Sequence, residues 1–142
     1  MRLALDLAAG AADAGEVPVG AVVTRAGAVL ATSANAMRSL RDPTAHAEMI
    51  AIRAAAVALD SDRLDGCDLW VTLEPCAMCA AAIALARIAR LYFAADDPKR
   101  GAVTNGCRLF HQPTCHHRPE IYPGLAEGAA AAQLRNFFLT RR

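Results

Sequence analysis

Aromatic residues make up only 5% of the chain, and the formal charge is close to balanced, +1 at neutral pH. A near-neutral balance gives no chain-wide attraction to nucleic acid, so any such role must rest on local patches. Long hydrophobic runs are also missing. The longest, Pro75 to Ala86, falls short of the roughly 18–20 residues that a membrane span needs. The opening stretch MRLALDLAAGAADAG is broken by Asp6, Gly10 and Asp13, so it lacks the continuous apolar core of a secretion signal. These absences predict a soluble, cytoplasmic protein. Cysteine occurs five times, an odd count without a secretion signal, which argues against a disulfide framework. In a reducing compartment the close pair Cys76 and Cys79 points instead to metal or redox chemistry. Apolar residues reach 55%, but much of that is alanine, which supplies little hydrophobic driving force. With 142 residues, the chain has about one domain's worth of length and reads as a single domain, 1–142.

Local patterns divide the chain into alternating elements. Residues 2–14 read as a helix with Leu3 and Leu7 on one face and Gly15 as its stop. Segments 19–24 and 28–32 flank Arg25-Ala26-Gly27, a hairpin signal. A polar loop follows, then a helix over 44–59 opened by Asp42-Pro43-Thr44. Residues 68–73 form the clearest strand, 76–89 a helix and 91–94 a further buried strand. The stretch 96–124 is rich in proline and glycine and reads as irregular, a place for substrate contacts. A last helix covers about 125–141. Helix, hairpin, helix, strand, helix, strand, helix predicts an α/β domain with helices on both sheet faces.

The chemistry concentrates in His46-Ala47-Glu48 and Pro75-Cys76-Ala77-Met78-Cys79. Spacing of three places both thiols on one helix face near its N-terminus, where the dipole and unpaired N–H groups favour thiolates. His46, in the first turn of its own helix, adds an imidazole. Two thiolates and one imidazole give zinc three protein ligands and leave a fourth position for water. Glu48 is read as a proton shuttle, not a ligand. Positions i and i+2 of an ideal helix diverge by about 200°, so His46 and Glu48 share a site only at the helix end, where side chains lean over the N-terminus. A thioredoxin-like redox pair and a structural zinc site are the competing readings. For the latter, Cys67 is the nearest spare thiol, but roughly 25–30 Å of extended chain separates it from Cys76. A second metal at Cys115-His116-His117 would need three adjacent side chains to face one ion.

These residues match the zinc deaminase pattern H-x-E … P-C-x-x-C. The longer strings, Glu16-Val-Pro-Val-Gly-Ala21, Asp42-Pro-Thr-Ala-His-Ala-Glu48, Val71-Thr-Leu-Glu-Pro-Cys-Ala-Met-Cys79, Phe93 through Gly101, and Phe137-Phe138 with Arg141-Arg142, closely resemble the bacterial tRNA-specific adenosine deaminases. The resemblance runs along essentially the whole chain. It implies a three-layer α/β/α cytidine-deaminase-like fold around a central, mostly five-stranded mixed sheet, working as a homodimer with one Zn²⁺ per subunit. It also implies conversion of adenosine to inosine at the wobble position of a tRNA anticodon, with DNA not expected as a partner. Zinc lowers the pKa of bound water, and the resulting hydroxide attacks adenine C6. Glu48 takes the proton, passes it to ring N1 and helps ammonia depart.

By the same resemblance Asn35 hydrogen-bonds the flipped base and Asp97 lies near the target ribose. As a loop residue, Asn35 reads equally as a cap for its own backbone. Lys99, Arg100, Arg141 and Arg142 are candidate phosphate contacts, with His111 and His116-His117-Arg118 as further RNA candidates. The chain departs from the family pattern in its short start before the first helix, in Asp96 where a basic residue is common, and in a tail without a further basic stretch. Two other functions compete. One is a small-molecule deaminase of guanine or a free nucleoside using the same zinc site. The other is a zinc-stabilised binding module, which has no use for Glu48.

Overall fold

The structure, a computed structural model, describes residues 1–141. Its elements run α1 (Arg2–Asp13), β1 (Gly20–Arg25), β2 (Ala28–Ala34), α2 (Ala47–Leu59), β3 (Cys67–Leu73), α3 (Ala77–Ala86), β4 (Arg90–Ala95), β5 (Glu120–Pro123) and α4 (Glu127–Leu139), with a short 3-10 turn at Leu109–His111. The strands form one mixed sheet in the order β2-β1-β3-β4-β5. β1 pairs antiparallel with β2 and β3, whereas β3, β4 and β5 run parallel. The parallel half requires a crossover, and α3 makes it between β3 and β4.

Strand periodicity assigns the two faces. Leu69 and Val71 of β3 and Leu91 and Phe93 of β4 are buried against Ala47, Ala51 and Ala55 of α2 and Ala80 and Ile83 of α3. Alanine on these helix faces lets the backbones approach the sheet closely, so a core forms with few aromatics. On the other face, Ala94 and Ala95 pack with Ala130 of α4 and, at the N-terminus, with Met1 and Leu5. The layers are therefore α/β/α, as the resemblance implied.

Several boundaries differ from the local reading. The hairpin turn is Ala26-Gly27 with both φ positive (50° and 80°), the two-residue turn whose twist matches that of the strands it joins. The stretch 96–124 is not wholly irregular, because Glu120–Pro123 adds parallel to β4. That strand is four residues beginning with an exposed Glu and ending in Pro, too short for a periodic signal. α3 stops at Ala86, not residue 89, because Arg87 turns left-handed (φ 65°). α2 begins at Ala47, not residue 44. Asp42 instead makes a tight turn, its Oδ1 accepting from the Thr44 N–H (2.8 Å) and hydroxyl (2.7 Å). No helix among the described residues is long and apolar enough to cross a membrane.

Candidate metal centre

β3 ends at Leu73, and three residues later Cys76 opens α3 as its N-cap, in extended conformation (φ −72°, ψ 175°). His46 does the same for α2 (φ −73°, ψ 150°). Each residue's carbonyl accepts the first bond of its helix, from Ala80 N–H (2.8 Å) and Ile50 N–H (3.1 Å). Neither residue lies inside a first turn. Both stand just ahead of a helix N-terminus, and the two N-termini converge. The expected conflict between His46 and Glu48 is thereby resolved, since an extended residue is not bound by the helical 100° step.

His46 Nδ1 lies 3.6 Å from Cys76 Sγ and 3.5 Å from Cys79 Sγ. Zinc at about 2.3 Å from sulfur and about 2.0–2.1 Å from nitrogen, in tetrahedral arrangement, needs those atoms about 3.6 Å apart. The donor set and its spacing fit zinc with one position left over. The three donor atoms all lie within 4.8 Å of one another, and theirs is the one such His/Cys/Asp/Glu cluster among the described residues. The Cys76 and Cys79 thiols titrate in opposite directions, the proton of the pair staying on Cys79. Donation from the Cys79 thiol, helped by His46, lowers Cys76 to about 4, while the same bond and burial push Cys79 up. Metal binding would release that last proton. The hydrogen bond with Cys76 also raises His46 against the opposing effect of burial.

Glu48 sits on the first turn of α2, 4% exposed, outside the three-donor cluster. Burial raises its carboxyl to about 7, and the Cys76 thiolate adds to that rise. A carboxyl so placed exchanges protons near neutral pH.

The other expected residues distribute as follows. Asn35 is buried at the end of β2's chain direction, and its Oδ1 accepts from Ala47 N–H at 2.8 Å. It thus caps α2 and not its own backbone, while its amide NH₂ has no protein acceptor among the described residues. Asp97 Oδ1 accepts from the Lys99 and Arg100 N–H groups (3.1 Å each), which shapes their turn, and Oδ2 meets no side-chain or backbone donor among the described residues. Lys99 and Arg100 are exposed, and the Arg100 charge reaches His46, where it disfavours protonation. The antiparallel bridge between Cys76 and Gly101 keeps this loop beside the metal donors. His111 is exposed at the end of the 3-10 turn. Arg141 lies with its guanidinium 4.3 Å above the Phe137 ring; Arg142 lies outside the described residues. Cys67 is buried in the sheet core, and Cys115 donates to His117 O while His117 contacts Ile88 O, so neither joins a metal cluster.

Three residues escaped the sequence reading. Glu74 accepts six hydrogen bonds from the 97–105 loop. Burial alone would raise its carboxyl, but these donors outweigh it and hold it near 2. Glu16 accepts from the Arg38 and Ser39 N–H groups, tethering the loop after β2. Arg38 donates from Nη1 to Gly15 O (3.2 Å). A Cβ added at Gly15 would lie 3.9 Å from Arg38 Nη1 and 3.8 Å from Arg141 Nη2, so the two guanidinium groups flank one point. The only local hint was Glu74 and Glu16 standing inside the quoted strings. Their partners lie some 20–30 residues away, where spacing carries no information.

Residues 1–95 match the model of the cytidine and deoxycytidylate deaminase zinc-binding region. The chain is 57% identical over its full length to the tRNA-specific adenosine deaminase of Agrobacterium fabrum, covering 93% of that protein. It is 44% identical to the corresponding protein of Aquifex aeolicus, over 87% of this chain and 83% of that one. A solved structure described in terms of A-to-I editing by tRNA:A34 deaminases at the wobble position of transfer RNA superposes with a TM-score of 0.93 at 57% identity, covering 94% of this chain and 97% of the other. The guanine deaminase of Bacillus subtilis shares the fold more distantly, with a TM-score of 0.68, 32% identity and coverage of 95% and 90%. With the zinc-spaced donors, the neighbouring carboxyl and full-length identity above one half in agreement, the chain belongs to the zinc-binding cytidine and deoxycytidylate deaminase family and, within it, to the tRNA-specific adenosine deaminases.

Proposed function

We propose that this protein hydrolyses adenosine to inosine, releasing ammonia, at the wobble position of a tRNA anticodon. The observation that carries the reading is a buried carboxyl poised near neutrality beside three donors at zinc spacing, without being one of them. His46, Cys76 and Cys79 hold one Zn²⁺ per chain. When bound, zinc supplies a water acidic enough to act as nucleophile at neutral pH. Glu48 would carry one proton from that water to ring N1 of adenine, then move the remaining proton of the oxygen added at C6 to the exocyclic nitrogen, which leaves as ammonia. The Asn35 amide NH₂ is available to hold the base. An unpaired anticodon loop presents its base at low unstacking cost.

Asp97 lies on the loop that would meet the target ribose, with Lys99 and Arg100 beside it for phosphates. Arg141, joined now by Arg38, offers a second phosphate contact. His111, exposed at the end of the 3-10 turn, is a further candidate for the RNA. Val57 of α2 and Leu85 of α3 are both strongly exposed, and a second copy of the chain would cover them. Sedimentation velocity reads that homodimer directly. Work on tRNA and five unpaired thiols fit a cytoplasmic setting.

The deciding experiment incubates the zinc-loaded protein with an anticodon stem-loop and, separately, with guanine and cytidine, then reads inosine by mass spectrometry and ammonia release. Inosine at the wobble position is expected. Ammonia from guanine or cytidine with an untouched stem-loop would replace this reading by the small-molecule one. Glu48→Ala should keep its zinc and lose about 10²–10⁴ in turnover; full activity in that variant would remove the shuttle.

A further inference from the structure

Glu74 lies between the end of β3 and Cys76, 2% exposed, and neither ion pair among the described residues includes it. A buried carboxylate without a cation must be satisfied by hydrogen-bond donors. Here every donor comes from one loop. Oε2 accepts from the Asp97 N–H (2.9 Å) and Asn105 Nδ2 (2.7 Å). Oε1 accepts from the N–H groups of Val103 (3.1 Å), Thr104 (2.8 Å) and Asn105 (3.0 Å), and from the Thr104 hydroxyl (3.2 Å). The two ends of the loop are therefore drawn onto a single side chain. Its middle is pressed close as well. A Cβ at Gly101 would stand 2.4 Å from the Glu74 carboxyl carbon and 2.5 Å from Asp97 O, so only glycine allows this approach. Ala102 N–H donates to Pro75 O (2.9 Å), and Gly101 bridges Cys76.

The loop so gathered carries Asp97, Lys99 and Arg100, whose turn is set by Asp97 itself. Both Glu74 oxygens are occupied, so the residue is not available as an acid or base. We propose that Glu74 is a positioning residue, which shapes the 97–105 loop for the RNA and fixes it to the metal ligand Cys76 two residues away; this rests on the tRNA reading above. A carboxylate is required because it accepts at both oxygens. An amide replaces one acceptor by a donor, and if its oxygen keeps the four contacts at Oε1, the new NH₂ faces the Asp97 N–H. Asn105 could meet such a donor only by turning its own oxygen, which would give up the bond its Nδ2 makes to Asp96 Oδ1, and a backbone N–H cannot turn at all. The Asp97 end of the loop is therefore released first.

The test is Glu74→Gln in the zinc-loaded protein, followed by metal content, steady-state kinetics on the anticodon stem-loop and amide hydrogen exchange. Expected are unchanged zinc, kcat within about threefold, KM raised about tenfold, and faster exchange at Asp97, more than at Val103 and Thr104. Unchanged exchange would show that Glu74 does not hold the loop. Faster exchange with an unchanged KM would show that the loop does not serve the RNA. Zinc and kcat falling together would make the residue a support of the metal end only. Each of these overturns the proposal. Asn105→Ala, which removes one donor and keeps the backbone clamp, should raise KM in the same direction by about threefold and guards against a misfolded first variant; no rise in it also counts against the proposal. If the wild-type protein leaves the stem-loop unmodified, the functional reading fails, while the exchange measurement still decides whether Glu74 organises the loop.

Discussion

Asn35→Ala separates two jobs that one side chain performs. Its Oδ1 accepts from Ala47 N–H at 2.8 Å, and Ala47 is fully buried, so the truncated variant leaves a helix-terminal donor without a partner or water. Losing an N-cap bond typically costs about 1 kcal/mol, and stranding a buried donor brings the figure to about 2 kcal/mol. At this chain length a change of that size lowers Tm by about 7 °C. The amide NH₂ is the second job. If it holds the base as bonds change, its removal should cost a further factor of about 10–100 in kcat/KM on the stem-loop. Asn35→Asp keeps an acceptor at the helix N-terminus, where negative charge is favoured, but has no NH₂. It should melt within about 2 °C of wild type, a shift worth only about half a kcal/mol, and share the kinetic defect. Thermal melting of the zinc-loaded variants and initial rates of inosine formation give both numbers. An Asn35→Ala protein as stable as wild type would refute the capping argument. A fully active Asn35→Asp would refute the contact with the base.

Cys76→Ala should reduce zinc from about one per chain to almost none by metal analysis; stoichiometric metal in that variant would reject the ligand set. Gly20→Ala would place its Cβ 2.0 Å from Ala4 O and 2.9 Å from Ala8 N, so α1 has to move off the sheet. A cost of about 1–3 kcal/mol is expected in denaturant unfolding, and an unchanged midpoint would show that α1 is loosely seated. At Glu16 burial favours the neutral acid, but the N–H groups of Ser39 and Arg38 outweigh it and the carboxyl lies below its ordinary value in the folded state. The unfolded chain then binds the proton more readily, so this contribution is present above the ordinary carboxyl pKa and fades as pH falls through the depressed one. Glu16→Gln should therefore be less stable at pH 7 and show a shallower acid limb; an acid limb identical to wild type would remove the role given to those bonds.

Much of the architecture was legible from short-range pattern. Asp68 to Leu73 is a short apolar run with an aromatic and β-branched residues, and the Ala26-Gly27 turn announced the hairpin, because both signals are complete within a few residues. β5 was not, since four residues on a sheet edge carry too little periodicity and pair only with β4, far back in the chain. The start of α2 was misplaced by three residues. Asp42-Pro43-Thr44 has the composition of a helix cap, but its hydrogen bonds close a separate turn, and the capping acceptor comes instead from Asn35, twelve positions before Ala47.

The candidate site divides along the same line. His46, Glu48, Cys76 and Cys79 could be named from spacing and donor chemistry, since zinc's demand for soft, closely spaced ligands leaves a compact record in the chain. Their workability was decided by the fold, which sets His46 and Cys76 in extended conformation at two converging helix ends and buries Glu48 beside them. The roles of Glu74, Glu16 and Arg38 were visible only in three dimensions. A carboxylate's partners depend on which backbone N–H groups the sheet and its loops bring within about 3 Å, and no pattern along the chain encodes a contact across thirty residues.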